Sequence, residues 1–185
     1  MRLVTDMRQC PGCKIILPIK ENIPYEGNLA RYGVTSPECL ALFNELLLKE
    51  YEYNRPILAR FDAYGVQHPP YKEIQEKLKV SSRYIAASKQ SVAIHLIALY
   101  LMLEKKLPLS DIPIIMNRIL SSGIALENEV LITPKQLGDL NIAAVTKACN
   151  KEEHIQLAWL WNQSAWNAWQ IYHDKVAQWY EKYGK

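Results

Sequence analysis

Cys10-Pro11-Gly12-Cys13 is the stretch on which our interpretation of this chain depends. Its Pro-Gly turn separates two thiols and can direct both of them into one tetrahedral metal site. Two further residues of the kind that bind zinc lie where helices are expected to begin and end, Cys39 in Ser36-Pro37-Glu38-Cys39 and His68 in Gln67-His68-Pro69-Pro70. The sequence therefore predicts a Cys3His site for Zn2+ that fastens an N-terminal loop to a helical domain.

Cys39 and His68 suit metal binding for different reasons. Cys39 falls in the first turn of a predicted helix, where the helix dipole favours the thiolate form that ligates metal. His68 falls at a helix end, from which its side chain can reach the loop. Two alternatives stay open: the thiols are ordinary small hydrophobic residues, or Cys10 and Cys13 are a redox pair. The redox alternative is the weaker one because such a motif normally opens a helix, and the prolines and β-branched residues that follow Cys13 do not favour one.

Size and composition are those of a folded domain. The chain has 185 residues, of which 49% are hydrophobic and 22% charged, so a substantial core is expected and wholesale disorder is not. The net charge of +3 is scattered and gives no argument for nucleic-acid binding. No apolar run reaches the roughly 20 residues that span a bilayer, and no signal peptide is recognised. We therefore expect a cytoplasmic protein with reduced thiols, in which Cys149 is a buried, inert residue.

Helix signals account for most of the chain after residue 35. Ser36 can cap a helix that runs towards Tyr53, and Ser82 to Lys105 is hydrophobic nearly all round, as in a central buried helix. The other predicted elements are a short extended piece at Ile15–Leu17, a helix from Pro56 to Pro69, a polar connection at Tyr71–Val80, a short helix within Pro108–Leu120, a weakly patterned stretch at Ile124–Leu140 with a strand or loop plug at Val130–Ile132, and a long final helix over Glu152–Tyr183.

These elements predict an all-α fold with a four-helix-bundle-like core and an irregular N-terminal loop pinned by zinc. We expect a single domain over residues 1–185, in which residues 1–35 form the metal-binding loop region and residues 36–185 the bundle. The expected function is that of a zinc-binding helical protein whose site is structural, because four protein ligands leave no open coordination position. The sequence identifies neither a substrate nor a partner.

A possible inner polar site forms a second hypothesis. His95 lies on the predicted central helix, and a buried histidine requires a hydrogen-bonding partner, for which Asp62 or the last helix is the obvious source. The functional version brings Asp62, His95 and His173 together as catalytic candidates, either around a second metal or as acid/base groups. The structural version is a hydrogen-bond network that fixes the register of the helices, and we favour it because a lone histidine on an apolar helix is usually just satisfied.

All five tryptophans fall in the predicted last helix, at positions 159, 161, 166, 169 and 179. The simplest interpretation is packing, with each indole N–H seeking a buried acceptor such as Asp62. The alternative is an aromatic-lined pocket around Trp166 and Trp169 for a small ligand or a protein partner.

Several local strings together resemble an uncharacterised, mostly bacterial family of domains of unknown function. They are Cys10-Pro11-Gly12-Cys13, Ser36-Pro37-Glu38-Cys39, Asp62-Ala63-Tyr64 with Gln67-His68-Pro69, Gln90-Ser91-Val92-Ala93-Ile94-His95-Leu96, and Trp166-Asn167-Ala168-Trp169 with His173. The resemblance covers the chain from about Cys10 to Trp179. It implies that the cysteines, His68, Asp62 and His95 form one recurring set, and it implies no activity.

A weaker resemblance is to the DinB-like helical bundles, which place a divalent metal on histidines from separate helices. That resemblance implies the alternative function, a metal-dependent hydrolase or transferase, with His95 as the first ligand. The family usually takes two further histidines from one helix at four-residue spacing, whereas His154 and His173 are much farther apart. Such an analogy rests on architecture, which does not establish function.

Overall fold

The computed structural model describes residues 6–20, 35–53, 62–69, 82–122 and 131–185. Helices predominate in these residues, together with one two-stranded sheet, which confirms a mainly α-helical protein. The elements in chain order are β1 (Met7–Gln9), β2 (Ile16–Pro18), α1 (Pro37–Glu52), α2 (Asp62–Gln67), α3 (Ser82–Leu103), α4 (Ile112–Ser121), α5 (Ile142–Thr146), α6 (Lys151–Ala168), a 3-10 turn (Gln170–Tyr172) and α7 (His173–Tyr183).

The N-terminal segment contains a short antiparallel hairpin. Arg8 pairs with Leu17 at its centre, so the extended piece expected at Ile15–Leu17 forms one of the two strands. The turn between the strands is closed by backbone hydrogen bonds from Cys10 N–H to Ile15 O at 2.7 Å and from Lys14 N–H to Cys10 O at 3.1 Å. Lys14 adopts a left-handed conformation with φ of 63° and thereby reverses the chain directly after Cys13.

Helix α1 begins as its sequence predicts. Ser36 accepts a hydrogen bond from the backbone N–H of Cys39 at 3.2 Å, and Pro37 occupies the first helical turn. Phe43 and Leu46 face the core, and Leu46 is fully buried. The cap matters for function because it fixes Cys39 in the first turn, beside the hairpin.

Helix α3 is the buried centre of the described structure, as predicted. Leu96, Ile97, Leu99 and Leu101 have no exposed surface, and α2, α4, α6 and α7 pack around the helix. None of the described helices combines the length and the apolar character that would let it cross a membrane.

The prediction of one continuous final helix is wrong, because the chain is interrupted between Trp169 and Tyr172. Trp169 N–H bonds Trp166 O at 2.9 Å, a three-residue bond that tightens the backbone at the end of α6. His173 Nε2 donates to the same carbonyl at 3.1 Å, and its ring stacks on the Trp166 indole at 3.7 Å. The Trp166 carbonyl therefore accepts two hydrogen bonds at the interruption, one from the Trp169 N–H and one from the His173 side chain.

The remaining predictions of secondary structure were confirmed only in part. A short helix within Pro108–Leu120 is confirmed as α4, whereas α5 was not predicted. Leu131 and Ile132 form no strand, and Val130 lies outside the described residues. The start of the helix expected at Pro56 and the connection Tyr71–Val80 also lie outside them.

Candidate metal centre

Three separate segments bring the four predicted ligands together. Cys10 and Cys13 lie in the hairpin turn, Cys39 in the first turn of α1, and His68 directly after α2. One ligand atom from each residue lies within 4.8 Å of the others, and we call this group the Cys3His cluster. It is also the one group of three or more His, Cys, Asp or Glu ligand atoms with such spacing in the described part of the chain.

Three distances within the Cys3His cluster match the edges of a metal tetrahedron. Cys13 Sγ lies 3.8 Å from Cys39 Sγ, and His68 Nε2 lies 3.4 Å from Cys39 Sγ and 3.6 Å from Cys10 Sγ. With Zn–S bonds of about 2.3 Å and Zn–N bonds of about 2.0–2.1 Å, a tetrahedron has edges of about 3.8 Å between sulfurs and about 3.6 Å between sulfur and nitrogen. A disulfide would require sulfurs about 2.05 Å apart. The four residues therefore fit a bound metal ion.

The orientation of His68 is set by its neighbours. Its Nδ1 lies 2.7 Å from Tyr64 O, and because a carbonyl only accepts, Nδ1 donates this hydrogen bond and Nε2 faces the cluster. This is the usual arrangement of a metal-ligating histidine. The imidazole stacks on the Tyr64 ring at 3.9 Å, and that ring stacks in turn on Phe43 at 4.4 Å. The ring of His68 is thus held before any metal binds.

The surroundings of Cys10 favour a thiolate. Ser36 donates its backbone N–H to Cys10 Sγ at 3.4 Å, and the Thr35 hydroxyl lies 3.9 Å from the same sulfur. Hydrogen bonds with Cys13 and then Cys39 hold the pKa of Cys10 far below its ordinary value, although burial acts in the opposite direction.

The close spacing of the cluster also shifts the pKa values of Cys13 and His68. The pKa of Cys13 is strongly raised by its hydrogen bonds with Cys10 and Cys39, because neighbouring buried thiols do not all ionise together. Burial disfavours the charged form of His68, yet the hydrogen bonds with Cys10 and Cys39 raise its pKa to about 10. A divalent cation at the centre of the cluster would stabilise the three thiolates and the neutral imidazole at once.

A salt bridge beside the cluster joins the hairpin to α1 without metal. Arg8 Nη1 lies 3.1 Å from Glu38 Oε1, and the Glu38 side chain is almost fully buried. Neither this contact nor the positions of Thr35 and Tyr64 around the ligands were predicted from the sequence. No sequence pattern indicates that Arg8 and Glu38 form an ion pair, because thirty residues separate the two positions.

Two of the three candidate residues of the inner polar site, Asp62 and His95, are in contact, and we call this pair the Asp62–His95 dyad. His95 Nδ1 lies 2.8 Å from Asp62 Oδ1, which confirms Asp62 as the expected partner. The His95 ring lies directly against the backbone of Gly65 and keeps 22% of its side-chain surface exposed. His173 instead stacks on Trp166, and Asp62, His95 and His173 do not form a group with metal-binding spacing.

Trp166 and Trp169 are buried in the core, at 2% and 1% exposure, which favours packing over a ligand pocket. Trp166 Nε1 donates to Glu104 at 2.9 Å and Trp161 Nε1 to Gln67 Oε1 at 2.8 Å, so these two indoles have acceptors other than Asp62. Glu104 directly follows α3 and Gln67 ends α2, and both of these helices pack on α6.

Two further residues depart from expectation. Cys149 is exposed and not buried, because it lies in the turn before α6, where its backbone N–H bonds Glu153 Oε2 at 2.8 Å. His154 is fully buried, and its Nε2 is hydrogen-bonded to Glu50 Oε1. This pair joins α6 to α1 and was not predicted from the sequence.

Fold and site together define a mainly helical protein with a Cys3His cluster suited to a metal ion. The chain belongs to the family described as "Family of unknown function (DUF5946)", which matches residues 8–170 and so includes the whole cluster and the Asp62–His95 dyad. No curated protein and no solved structure matches the chain, so the comparisons give no support to a likeness with DinB-like bundles.

Proposed function

We propose that this chain is a zinc-binding protein in which Cys10, Cys13, Cys39 and His68 hold one structural Zn2+. The observation that carries the proposal is the tetrahedral spacing of the three sulfurs and the imidazole nitrogen. The hydrogen bond that His68 Nδ1 donates to Tyr64 O supports it, because it makes Nε2 the ring nitrogen that faces the ion.

The chemistry of the donor set favours zinc over harder metals. Thiolates and imidazole are soft or borderline ligands, whereas magnesium and calcium prefer oxygen. Four protein ligands complete a tetrahedron and leave no position for water or substrate, which is typical of structural sites. Cys10 and Cys39 are fully buried and His68 is 3% exposed, so the ion would also be shielded from solvent.

The proposed role of the ion is to hold three segments together. A hairpin with strands of three residues is marginal in water and buries little surface by itself. Zinc would connect this hairpin to the start of α1 and to the end of α2, so its binding free energy becomes part of the folding free energy.

Elemental analysis of the purified wild type, Cys39→Ser and Cys149→Ser tests the proposal. We expect about one zinc per chain in the wild type and in Cys149→Ser, and far less in Cys39→Ser, together with a lower melting temperature. Cys149→Ser is the matched control because Cys149 is an exposed thiol outside the cluster. Full zinc content in Cys39→Ser, or a metal-free wild type, would contradict the proposal.

The Asp62–His95 dyad supports a second candidate function, that of an enzyme, as in the hydrolase or transferase alternative. A carboxylate on Nδ1 leaves Nε2 to exchange protons, the arrangement of a general base, and the ring is partly accessible. Ester and phosphoester substrates assayed with wild type, His95→Gln and Asp62→Asn test it. Turnover lost in both variants while zinc content is retained supports catalysis, and equal turnover in all three proteins rejects it.

We also propose a cytoplasmic location and a single domain. All four cysteines are free, as expected of a chain kept in a reducing compartment. Fractionation of cells that produce the full chain and limited proteolysis of the zinc-loaded protein test these two points.

A further inference from the structure

We propose that Cys13 and Cys39 are a peroxide-reactive pair, a site of oxidative modification at which a small hydroperoxide converts two zinc thiolates into a disulfide and releases the metal. The proposal rests on the proposed zinc site and adds a chemical input to it. Three features of the structure carry it: unequal access to the cluster, the short distance between two sulfurs, and the different segments that those sulfurs join.

Access to the cluster is through Cys13. Cys10 and Cys39 have no exposed surface and His68 is 3% exposed, whereas Cys13 is only partly buried. Cys10 is further enclosed by the Ser36 backbone N–H at 3.4 Å. A small oxidant that approaches from solvent therefore reaches the sulfur of Cys13 first. In the zinc-bound cluster all three cysteines are thiolates, so exposure decides which of them is oxidised first.

Cys39 is placed to complete the reaction. Its sulfur lies 3.8 Å from that of Cys13, close enough that modest side-chain rotation brings the two into bonding distance. The Cys13 thiolate attacks the O–O bond of the hydroperoxide, which gives Cys13 sulfenic acid and expels hydroxide or alkoxide. The Cys39 thiolate then attacks the Cys13 sulfur and displaces a second hydroxide.

The electrons and atoms of this sequence balance. Two thiolates, one hydrogen peroxide and two protons give one disulfide and two waters, with the two sulfurs oxidised and the peroxide oxygens reduced. The ion keeps only Cys10 and His68, half of its tetrahedron, and leaves as Zn2+.

The disulfide joins fewer segments than the ion does. Zinc connects the hairpin, α1 and α2, whereas a bond between Cys13 and Cys39 connects only the hairpin and α1. Oxidation therefore releases the His68 end of α2 while the hairpin stays attached. Because Asp62 at the other end of α2 holds His95 at 2.8 Å, the loss of zinc loosens the dyad as well.

The test uses the zinc-loaded full chain carrying Cys149→Ser, so that the exposed thiol cannot form bonds between molecules. Hydrogen peroxide is added, zinc release is followed with a colorimetric chelator, and non-reduced peptides are sequenced by tandem mass spectrometry. Fragmentation is needed because a tryptic peptide from Gln9 to Lys14 contains both hairpin cysteines. Hydrogen exchange of α2 and α6 is compared before and after oxidation.

We expect zinc release of about one equivalent, a Cys13–Cys39 disulfide as the main product, faster exchange in α2 than in α6, and recovery on adding dithiothreitol and zinc. A disulfide between Cys10 and Cys13, sulfinic acid alone, or zinc retained under peroxide that oxidises free thiols would each overturn the inference. Failure of the proposed function would be recognised before this experiment, because the purified protein would then contain no zinc.

Discussion

Replacing Gly65 with alanine tests how closely α2 packs on α3. A Cβ built on Gly65 lies 2.5 Å from His95 Nε2 and 2.6 Å from His95 Cγ, and closer still to Cδ2. These atoms belong to a rigid ring that is hydrogen-bonded to Asp62, so a flexible side-chain end cannot simply move aside. The methyl group therefore both strains the packing of the two helices and pushes the ring away from Asp62.

The expected magnitude follows from three contributions. Inserting a methyl group into a packed contact costs about 1–3 kcal/mol. Loss of a hydrogen bond to a charged group costs about 1.5–3 kcal/mol, and Asp62 is only 5% exposed. Alanine gains about 1 kcal/mol over glycine in helix propensity. The net destabilisation is therefore about 1.5–5 kcal/mol, and each kcal/mol lowers the melting temperature of a chain of this size by about 2–4 °C.

A double-mutant cycle tests whether the His95 ring causes this destabilisation. Urea unfolding of zinc-loaded wild type, Gly65→Ala, His95→Ala and the double variant gives the four free energies of unfolding. Without the imidazole the methyl group meets no ring, so Gly65→Ala in the His95→Ala background should be neutral or stabilise by up to about 1 kcal/mol. The same destabilisation in both backgrounds would show that the ring does not determine the cost, and would refute the reasoning.

Three other predictions concern the metal, the cap and one buried amide. Chelation of zinc should speed amide exchange in the hairpin far more than in α3, because α3 is held by its own packing. Gln67→Leu removes partners from two backbone carbonyls and from the Trp161 N–H, and should lower the free energy of unfolding by about 3 kcal/mol or more in urea titrations. Ser36→Ala should cost about 1 kcal/mol in melting experiments without removing zinc, since the cap is not a ligand; loss of stoichiometric zinc would contradict that division of roles.

The cluster was predictable because its signals are local. The Pro-Gly turn after Cys10, the Ser-Pro helix start before Cys39 and the prolines after His68 each fix a backbone direction within a few residues. The distances between these segments are not encoded locally, and only the type of ligand suggested that they meet. The second layer of contacts was missed for this reason, because no local pattern joins Thr35 to Tyr64, whose hydroxyls lie 2.8 Å apart.

The helix break at Trp169 shows where periodicity fails. Residues on both sides of it keep a helical pattern and contain no proline or glycine, so the sequence indicates one helix. The break coincides with a tertiary arrangement in which Trp166 and Trp169 are buried and the His173 side chain donates a second hydrogen bond to the Trp166 carbonyl. Exposure of Cys149 was missed similarly, since an apolar neighbour such as Ala148 gives no information about where a turn meets solvent.

The six residues of α2 are too few to be helical by themselves in water, so the helix depends on what its ends and faces contact. Asp62 bonds His95 on α3, the Ala63 N–H bonds Asn162 on α6 at 3.3 Å, and Gln67 bonds the loop before α5 and Trp161. His68, one residue beyond the helix, contributes the link to the hairpin and α1. These contacts of α2 are all long-range, and the zinc ion that we propose at His68 would add a further one that chelation or oxidation can remove. If the proposed ion is bound there, it would restrain more than the loop that carries its cysteines, because it would also hold the helix from which Asp62 orients His95.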